Sequence, residues 1–324
     1  LERLFKRYMH ILVTGAKGFV GRGLVPMLAA HGHTGVATGR TAPADLPAGW
    51  IGETRDRVLA GAGDAARVDA IIHLEVKQHA SRPTPADIDD FERVNVGGTR
   101  EWLDWAARHG VRRFVFTSSI KAVAPSTRPQ FEQAALEPDT PYGASKARAE
   151  RLVREWARGD AARAAVILRP APVYGPGNEA NLAAFVRQIR AGKPCLVGAG
   201  ATRKSIVSRA NIAAALEFAA IEARLGMEVF NVSDREAPSL AELADMIATL
   251  AAAPRPRHVP AVVARLFAPV GDLVAFVTGR DFPLTTARLK AMEETSVFPC
   301  DKLTAAGFRH PQTTREGLAE MLGT

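Results

Sequence analysis

The stretch HILVTGAKGFVGRGLVPMLAAHG, residues 10–32, decides how the rest of the chain is read. Its first residues form a short apolar run with β-branched members, the pattern of a buried strand, and FVGRGLVPMLAAHG after it reads as a helix. Between them Gly15, Gly18 and Gly21 are spaced as GxxGxxG. The first glycine permits a tight turn, the second lets backbone approach a pyrophosphate, and the third lets the helix pack closely on the strand. Free amides at the helix start, around Phe19 and Val20, then face an anion. Glycine-rich turns without ligands are common, so the strand before this one and the helix after it are what give it meaning.

The same alternation continues outward. TGVATGR and DAIIHLE are strand candidates, TREWLDWAARHG is a helix ending at Gly110, RRFVFTSS is a buried strand with polar residues at its carboxyl end, and AAVILRPAPVYG is a further strand broken by Pro170 and Pro172. This rhythm predicts an α/β fold, a Rossmann-type doubly wound parallel sheet covered on both faces. After Gly175 the pattern loosens. PGNEANLAAFVRQIRAG is helical, EVFNVSD is strand-like, and SLAELADMIATLA is a helix opened by a capping box of Ser239 and Glu242. We expect a Rossmann domain over residues 9–170, with some later segments returning to it. A smaller C-terminal substrate lobe, mainly residues 171–324, should close over the carboxyl edge of the sheet, where open α/β folds place ligands.

Composition narrows the function classes. The 324 residues carry 42 Lys and Arg against 34 Asp and Glu, a formal charge of +8. The arginines are scattered along helices and no basic run interleaves with aromatics, so nucleic acid is not the expected partner; an anionic small ligand accounts for the balance equally well. Cys195 and Cys300 stand far apart and outside any CxxC or Cys/His cluster, so neither a disulfide framework nor a metal site is expected, and the expected compartment is the reducing cytoplasm. Met9 reads as the natural start, with residues 1–8 set aside as an extension and no signal peptide expected. VPAVVARLFAPVGDLVAFVTG, residues 259–279, contains Arg265, Asp272 and prolines, which argues against a membrane span and for two amphipathic helices or a partner-facing surface.

Candidate chemistry collects where strands end. VATGRTAP places Arg40 where an acidic residue would bind the ribose hydroxyls of NAD; a guanidinium there pairs with a ribose phosphate and leans to NADP, or is a solvated arginine after a strand. Glu53 sits where an acceptor for the adenine amino group would fall. Tyr142 and Lys146, in DTPYGASKARAE, lie one helical turn apart on one face. Alone they read more readily as a solvated surface pair. With Ser119 at the end of FVFTSS they form a set able to move a proton on and off a substrate oxygen beside a nicotinamide ring. A tyrosine titrates near about 10, and Lys146 together with a positive nicotinamide should lower that value.

TGAKGFVG, IIHL, VNVGGT, FTSS, YGASK and RPAPVYGPG, in this order and spacing, resemble the extended short-chain dehydrogenase/reductase family, in its nucleotide-sugar epimerase/dehydratase subgroup, over nearly the whole chain from Met9. The resemblance implies NAD or NADP as cofactor and catalytic roles for Ser119, Tyr142 and Lys146, the last two also touching the cofactor. It implies the pyrophosphate at Gly15, Gly18 and Gly21, further contacts at His73 and Leu74, and the nicotinamide end at Pro170, Pro172 and Val173. It implies a homodimer through the helix around Trp102 and Trp105 and the helix carrying Tyr142. Two departures stand out. EVKQH follows IIHL and brings Glu75, Lys77 and His79 near the cofactor and substrate edge. Ile120 and Lys121 follow Ser119 where dehydratases carry an Asp-Glu pair, which disfavours a 4,6-dehydratase.

By the same resemblance a nucleoside diphosphate would meet Asn181 and Leu182, Arg203 and Ser205, and Arg280 or Arg288. The first expectation is a UDP-glucose 4-epimerase-like enzyme working by transient hydride transfer. A keto-sugar reductase using NADPH, a 3β-hydroxysteroid-dehydrogenase-like enzyme, and a non-catalytic cofactor-binding scaffold are the alternatives. Loss of the tyrosine or lysine usually marks the scaffold class, and both are present.

Overall fold

The computed structural model describes residues 8–61, 68–78, 83–178, 181–222, 226–278 and 285–324. In chain order the elements are β1 (His10–Thr14), α1 (Gly21–Ala30), β2 (Thr34–Gly39), β3 (Trp50–Thr54), α2 (Arg55–Leu59), β4 (Ala70–His73), α3 (Pro85–Asp90), α4 (Gly98–Arg108), β5 (Arg113–Thr117), α5 (Pro141–Arg158), β6 (Ala164–Pro170) and β7 (Val173–Tyr174). They continue with α6 (Asn181–Arg190), β8 (Pro194–Val197), β9 (Val207–Ser208), α7 (Arg209–Ile221), β10 (Met227–Val232), α8 (Leu240–Leu250), β11 (Arg257–Val259), α9 (Ala261–Thr278), α10 (Thr286–Glu293), α11 (Asp301–Ala305) and α12 (Thr314–Leu322).

Among the described residues seven strands form one parallel sheet in the order β10-β6-β5-β4-β1-β2-β3. The apolar runs of β1, β4, β5 and β6 are buried on both faces, as a sheet covered by helices on either side requires. One face carries a core of Ile11, Val13, Leu24, Ile72, Val115, Leu216 and Phe230; the other carries Leu12, Ile71, Trp102, Trp105, Phe114, Phe116 and Ile167. Trp102 and Trp105 are fully buried there, so they hold α4 to the sheet and are not an outward surface. A third core joins Tyr174, Val186, Ile189, Leu196, Leu243, Ile247 and Leu318, built from segments that follow β6.

Three features differ from the sequence reading. The strand β3 was not anticipated: a short run containing Gly52, it is held at the sheet edge by backbone pairing with β2. Between α3 and α4 the chain widens into a π-helical turn, Phe91–Gly97. Residues 261–278 form one helix through Pro269 where two were expected. The capping box of Ser239 and Glu242 is present as read, and β10 brings a late segment back into the sheet.

Candidate active site

Because the strands are parallel and in register, their carboxyl ends line one edge: Thr14 pairs with His73, His73 with Phe116, Thr117 with Leu168, and Val232 with Pro170. Gly15, Leu74, Ser118 and Ser119, and Pro170 to Val173 therefore emerge side by side, with Arg40 following β2 on the same edge. A depression of about 620 Å³ between Tyr8, His10, Asp69 and His109 opens at the opposite edge, away from all of them.

The glycine turn is built as a cradle. Gly15 has φ +64, and a Cβ there would lie 2.8 Å from the Glu75 backbone nitrogen. The turn closes through Gly18 N donating to Gly15 O at 2.9 Å, and Gly21 opens α1. Phe19 and Val20 lie partly buried between them, Phe19 beneath the Arg209 guanidinium at 5.4 Å. Arg40 is exposed, with no hydrogen bond or ion pair to it among the described residues. Glu53 is paired with Arg57 at 3.0 Å, so its carboxylate is already committed.

The two serines that end β5 separate cleanly. Ser118 is buried and its hydroxyl donates to Glu150 Oε1 at 2.7 Å. Ser119 is partly exposed, caps the short turn Ile120–Ala122 by accepting from Lys121 N at 3.1 Å, and is hydrogen-bonded to the Tyr142 hydroxyl. Tyr142 occupies the first turn of α5, which Thr140 caps and Pro141 begins. Gly143 permits the approach: a Cβ on it would overlap the Lys121 carbonyl, so no larger residue lets α5 come this close to the Ser119 turn. The Tyr142 ring stands edge-on to Phe91, centroids 5.9 Å apart.

One turn further, Lys146 is 2% exposed. Its ammonium lies 4.4 Å from the centre of the Phe116 ring and makes no hydrogen bond among the described residues. Burial drives its pKa down to about 7, with Glu150 pulling the other way. The Tyr142 phenol moves opposite to expectation: burial pushes it up to about 12, and the Ser119 hydrogen bond only partly offsets this. In the protein by itself Lys146 does not hold the phenol down.

Several supporting residues carry no motif and were missed from sequence. Glu150 and Arg169 are buried together, bonded twice at 2.8 Å, and Arg169 also donates to the Glu132 carbonyl at 3.0 Å. Asn95, inside the π-helical turn, accepts from Lys77 N at 2.8 Å and donates to Ser145 Oγ at 2.9 Å; Ser145 in turn donates to the Tyr142 carbonyl at 2.7 Å. His73 completes the chain. Thr99 gives its only hydroxyl proton to Asn95 O, so His73 Nε2 must donate to Thr99, at 3.1 Å. Nδ1 is then left to accept from Thr14 at 2.7 Å. The imidazole is buried and held far below its usual pKa, by desolvation first and then by Lys146 and Arg55, which keeps it neutral. It ties β1, β4 and α4 together below the cleft.

The unusual charges after IIHL are paired. Glu75 binds Arg55 at 3.0 Å and accepts from Trp102 Nε1 at 2.8 Å; Lys77 binds Asp87 and Asp90, each at 3.0 Å. His79 and Arg280 lie outside the described residues.

On the lobe side the expected substrate residues are dispersed. Ser205 is buried and bonded to the Phe298 backbone, accepting from its nitrogen at 2.9 Å. Arg203 donates to the Ala237 carbonyl at 2.7 Å and faces Glu242. Leu182 packs into the third core, Asn181 begins α6, and Arg288 lies exposed in α10. Pro170 ends β6, the Pro172 carbonyl accepts from Val207 N at 3.1 Å, and Val173 pairs with Val207. The pKa of Lys204 is lowered by burial first and, against the pull of Glu294, by Lys121, two residues beyond Ser119. Among the described residues no cluster of His, Cys, Asp or Glu is able to hold a metal.

A Rossmann-type sheet with a glycine cradle on β1 and a Ser-Tyr-Lys set beside it defines an extended short-chain dehydrogenase/reductase. Residues 11–233 match the profile described as NAD dependent epimerase/dehydratase family, and the chain belongs to that family of enzymes. It is 28% identical over 315 residues, 97% of this chain and 94% of the relative, to the N-acetyl-alpha-D-glucosaminyl-diphospho-ditrans,octacis-undecaprenol 4-epimerase of Escherichia coli O157:H7. It is 30% identical to the UDP-glucose 4-epimerase of Vibrio cholerae, covering 72% of this chain and 73% of that one. Among solved structures, MoeE5 in complex with UDP-glucose and NAD superposes with a TM-score of 0.73 at 25% identity, over 97% of each chain.

Proposed function

We propose that the protein epimerises carbon 4 of a hexose carried on a diphosphate, a nucleotide sugar being a soluble form of the substrate. The observation that carries this reading is the Tyr142 hydroxyl bonded to Ser119, with the buried Lys146 ammonium one turn away and without a hydrogen-bond partner among the described residues. Similarity to two named 4-epimerases and to a structure that binds UDP-glucose and NAD supports the choice of substrate.

The residues present fit a nicotinamide dinucleotide. Gly15, Gly18, Phe19, Val20 and Gly21 form a cradle that a Cβ at Gly15 would fill, the start of α1 offers amides to a diphosphate, and Lys146 offers an unused cation. Bound there, the cofactor supplies the acceptor and then the donor of the hydride that leaves and returns to C4. The proton steps belong to the chain. Tyr142 as phenolate takes the C4 hydroxyl proton as the C–H bond breaks, leaving a ketone whose oxygen Ser119 holds. After the ketone presents its other face, Tyr142 returns the proton, so no net oxidation occurs. A phenol pushed up to about 12 is protonated at neutral pH. Positive charge brought beside it, from Lys146 in its protonated form and from the oxidised ring, is what makes the phenolate accessible. We assign Lys121 and Lys204 to the substrate diphosphate, because the charge of Lys121 reaches Lys204 from two residues beyond Ser119. The working form would be a cytoplasmic homodimer, using the outer faces of α4 and α5 since the α4 tryptophans point inward.

Arg40 favours a second reading. Exposed beyond β2 and unpaired among the described residues, it suits a ribose phosphate and hence a reductase consuming NADPH. Purified protein given UDP-glucose or UDP-N-acetylglucosamine with each oxidised cofactor, and separately a nucleotide-linked 4-keto-sugar with NADPH, separates the two: epimer without absorbance change supports the first, stoichiometric NADPH oxidation by the keto-sugar the second. Tyr142→Phe should lower turnover by about 10²–10⁴-fold while cofactor binding is spared. Retained turnover would refute the role given to Tyr142.

A further inference from the structure

Helix α9 is apolar on the wrong side for a helix of a protein surrounded by water alone. Ala264, Ala268, Gly271 and Ala275 are buried, a narrow stripe of small residues at helical spacing that packs on Leu289 and Val259. The opposite face presents Val262, Leu266, Val270, Leu273 and Phe276, with Leu266 70% and Phe276 84% exposed, and Phe267 beside them. The charged residues of the helix, Arg265 and Asp272, both fall on one flank between the two faces, so no polar side chain interrupts the exposed one. Single exposed apolar residues need no explanation; a contiguous face of six does.

We propose that this face docks in the plane of an anionic lipid membrane and that the diphospho-sugar substrate is presented there on a lipid. Three observations favour lipid over a protein partner. The charged flank is already paired within the chain, Arg265 with Glu293 at 2.9 Å and Asp272 accepting from Thr286 N at 3.2 Å, so neither charge is free to fix register with a protein partner. The approach to the helix is basic: residues 251–264 contain Arg255 and Arg257 and no acidic residue. Strand β8, paired to β11 in front of the helix, is preceded by Arg187, Arg190 and Lys193, again with no acid between residues 187 and 201. Cations at the end of an apolar face suit phosphate headgroups. None of the helices is long and apolar enough among the described residues to cross a membrane, so the contact lies in the interface.

The surface is wired to the site. Helix α10 packs on α9, and just past its last residue, Glu293, the Glu294 carbonyl accepts from the Lys204 ammonium, whose pKa is lowered in part by Lys121, two residues beyond Ser119. A diphosphate at those lysines would leave its second substituent free to run toward α9. This substrate assignment rests on the diphospho-sugar reading; the docking of the helix does not.

Flotation with vesicles of phosphatidylethanolamine and phosphatidylglycerol tests the docking without any substrate. The full chain is expected to float with the vesicles, less so at high salt or without phosphatidylglycerol, and Leu266→Asp/Phe276→Asp should reduce the bound fraction at least tenfold. Both proteins should convert UDP-sugars equally and melt alike, which shows the variant folded and keeps failure of docking distinct from failure of the epimerase reading. No flotation of the wild type overturns the proposal. So does a variant that instead lowers the oligomeric mass in analytical ultracentrifugation, because the face would then be a contact between copies; a misfolded double variant is replaced by Leu273→Asp under the same criteria.

Discussion

Lys146 is expensive where it stands: an ammonium 2% exposed, with an aromatic ring above it and its nearest carboxylate, Glu150, committed to Arg169. Its folded pKa near 7 lies below the ordinary 10.5. Between those values the unfolded chain binds more protons than the folded one, so stability rises with pH through this window and the full penalty is felt below about 7. Lys146→Met should therefore be inactive yet more stable than wild type near pH 6, by about 1.4 kcal/mol for each pKa unit relieved, with the advantage fading toward pH 10.5. Urea unfolding across that range checks it, and an offset independent of pH would show that the burial of the charge is not what costs stability. The grouping of Ser119, Tyr142 and Lys146 was legible because each lies within a short motif. The direction of the Tyr142 shift was not, because it depends on how deeply α5 sinks beside β5, which Gly143 sets and spacing alone does not reveal.

Helix α5 and strand β6 are locked by Glu150 and Arg169, and this pair positions the strand end that carries Ser118 and Ser119. Removing one member of a buried pair leaves an uncompensated charge. Arg169→Met should cost about 3–5 kcal/mol, whereas Glu150→Leu together with Arg169→Met should recover most of that loss; equal losses in the single and double variants, read from urea midpoints, would contradict the pairing. Such partners were invisible in the sequence for a physical reason. Glu150 and Arg169 are 19 residues apart, Asn95 and Ser145 50, and Glu75 and Trp102 27, and only the register of the parallel sheet brings them together. The strand β3 was missed similarly, since its pairing with β2 is backbone to backbone and leaves little mark on side-chain pattern. The elements read correctly, β1, α1, β4, β5 and the capped α8, each carry their own local signal in periodicity, glycine or cap.

At the scale of the molecule, one edge of the parallel sheet gathers the glycine turn, Ser119, Tyr142 and the buried Lys146, and helix α9 turns an apolar face outward from the segments that follow β6. The arrangement is suited to taking a hydride from a sugar carbon and returning it without release. UDP-glucose and UDP-N-acetylglucosamine, each deuterated at C4, test this most directly when incubated with the protein and NAD in ordinary water. The account predicts that the galacto epimer of at least one forms with deuterium still on C4 and no accumulation of reduced cofactor. Label lost to solvent in the epimer, or no epimer from either sugar while NAD is reduced in step with the formation of a keto-sugar, would contradict it.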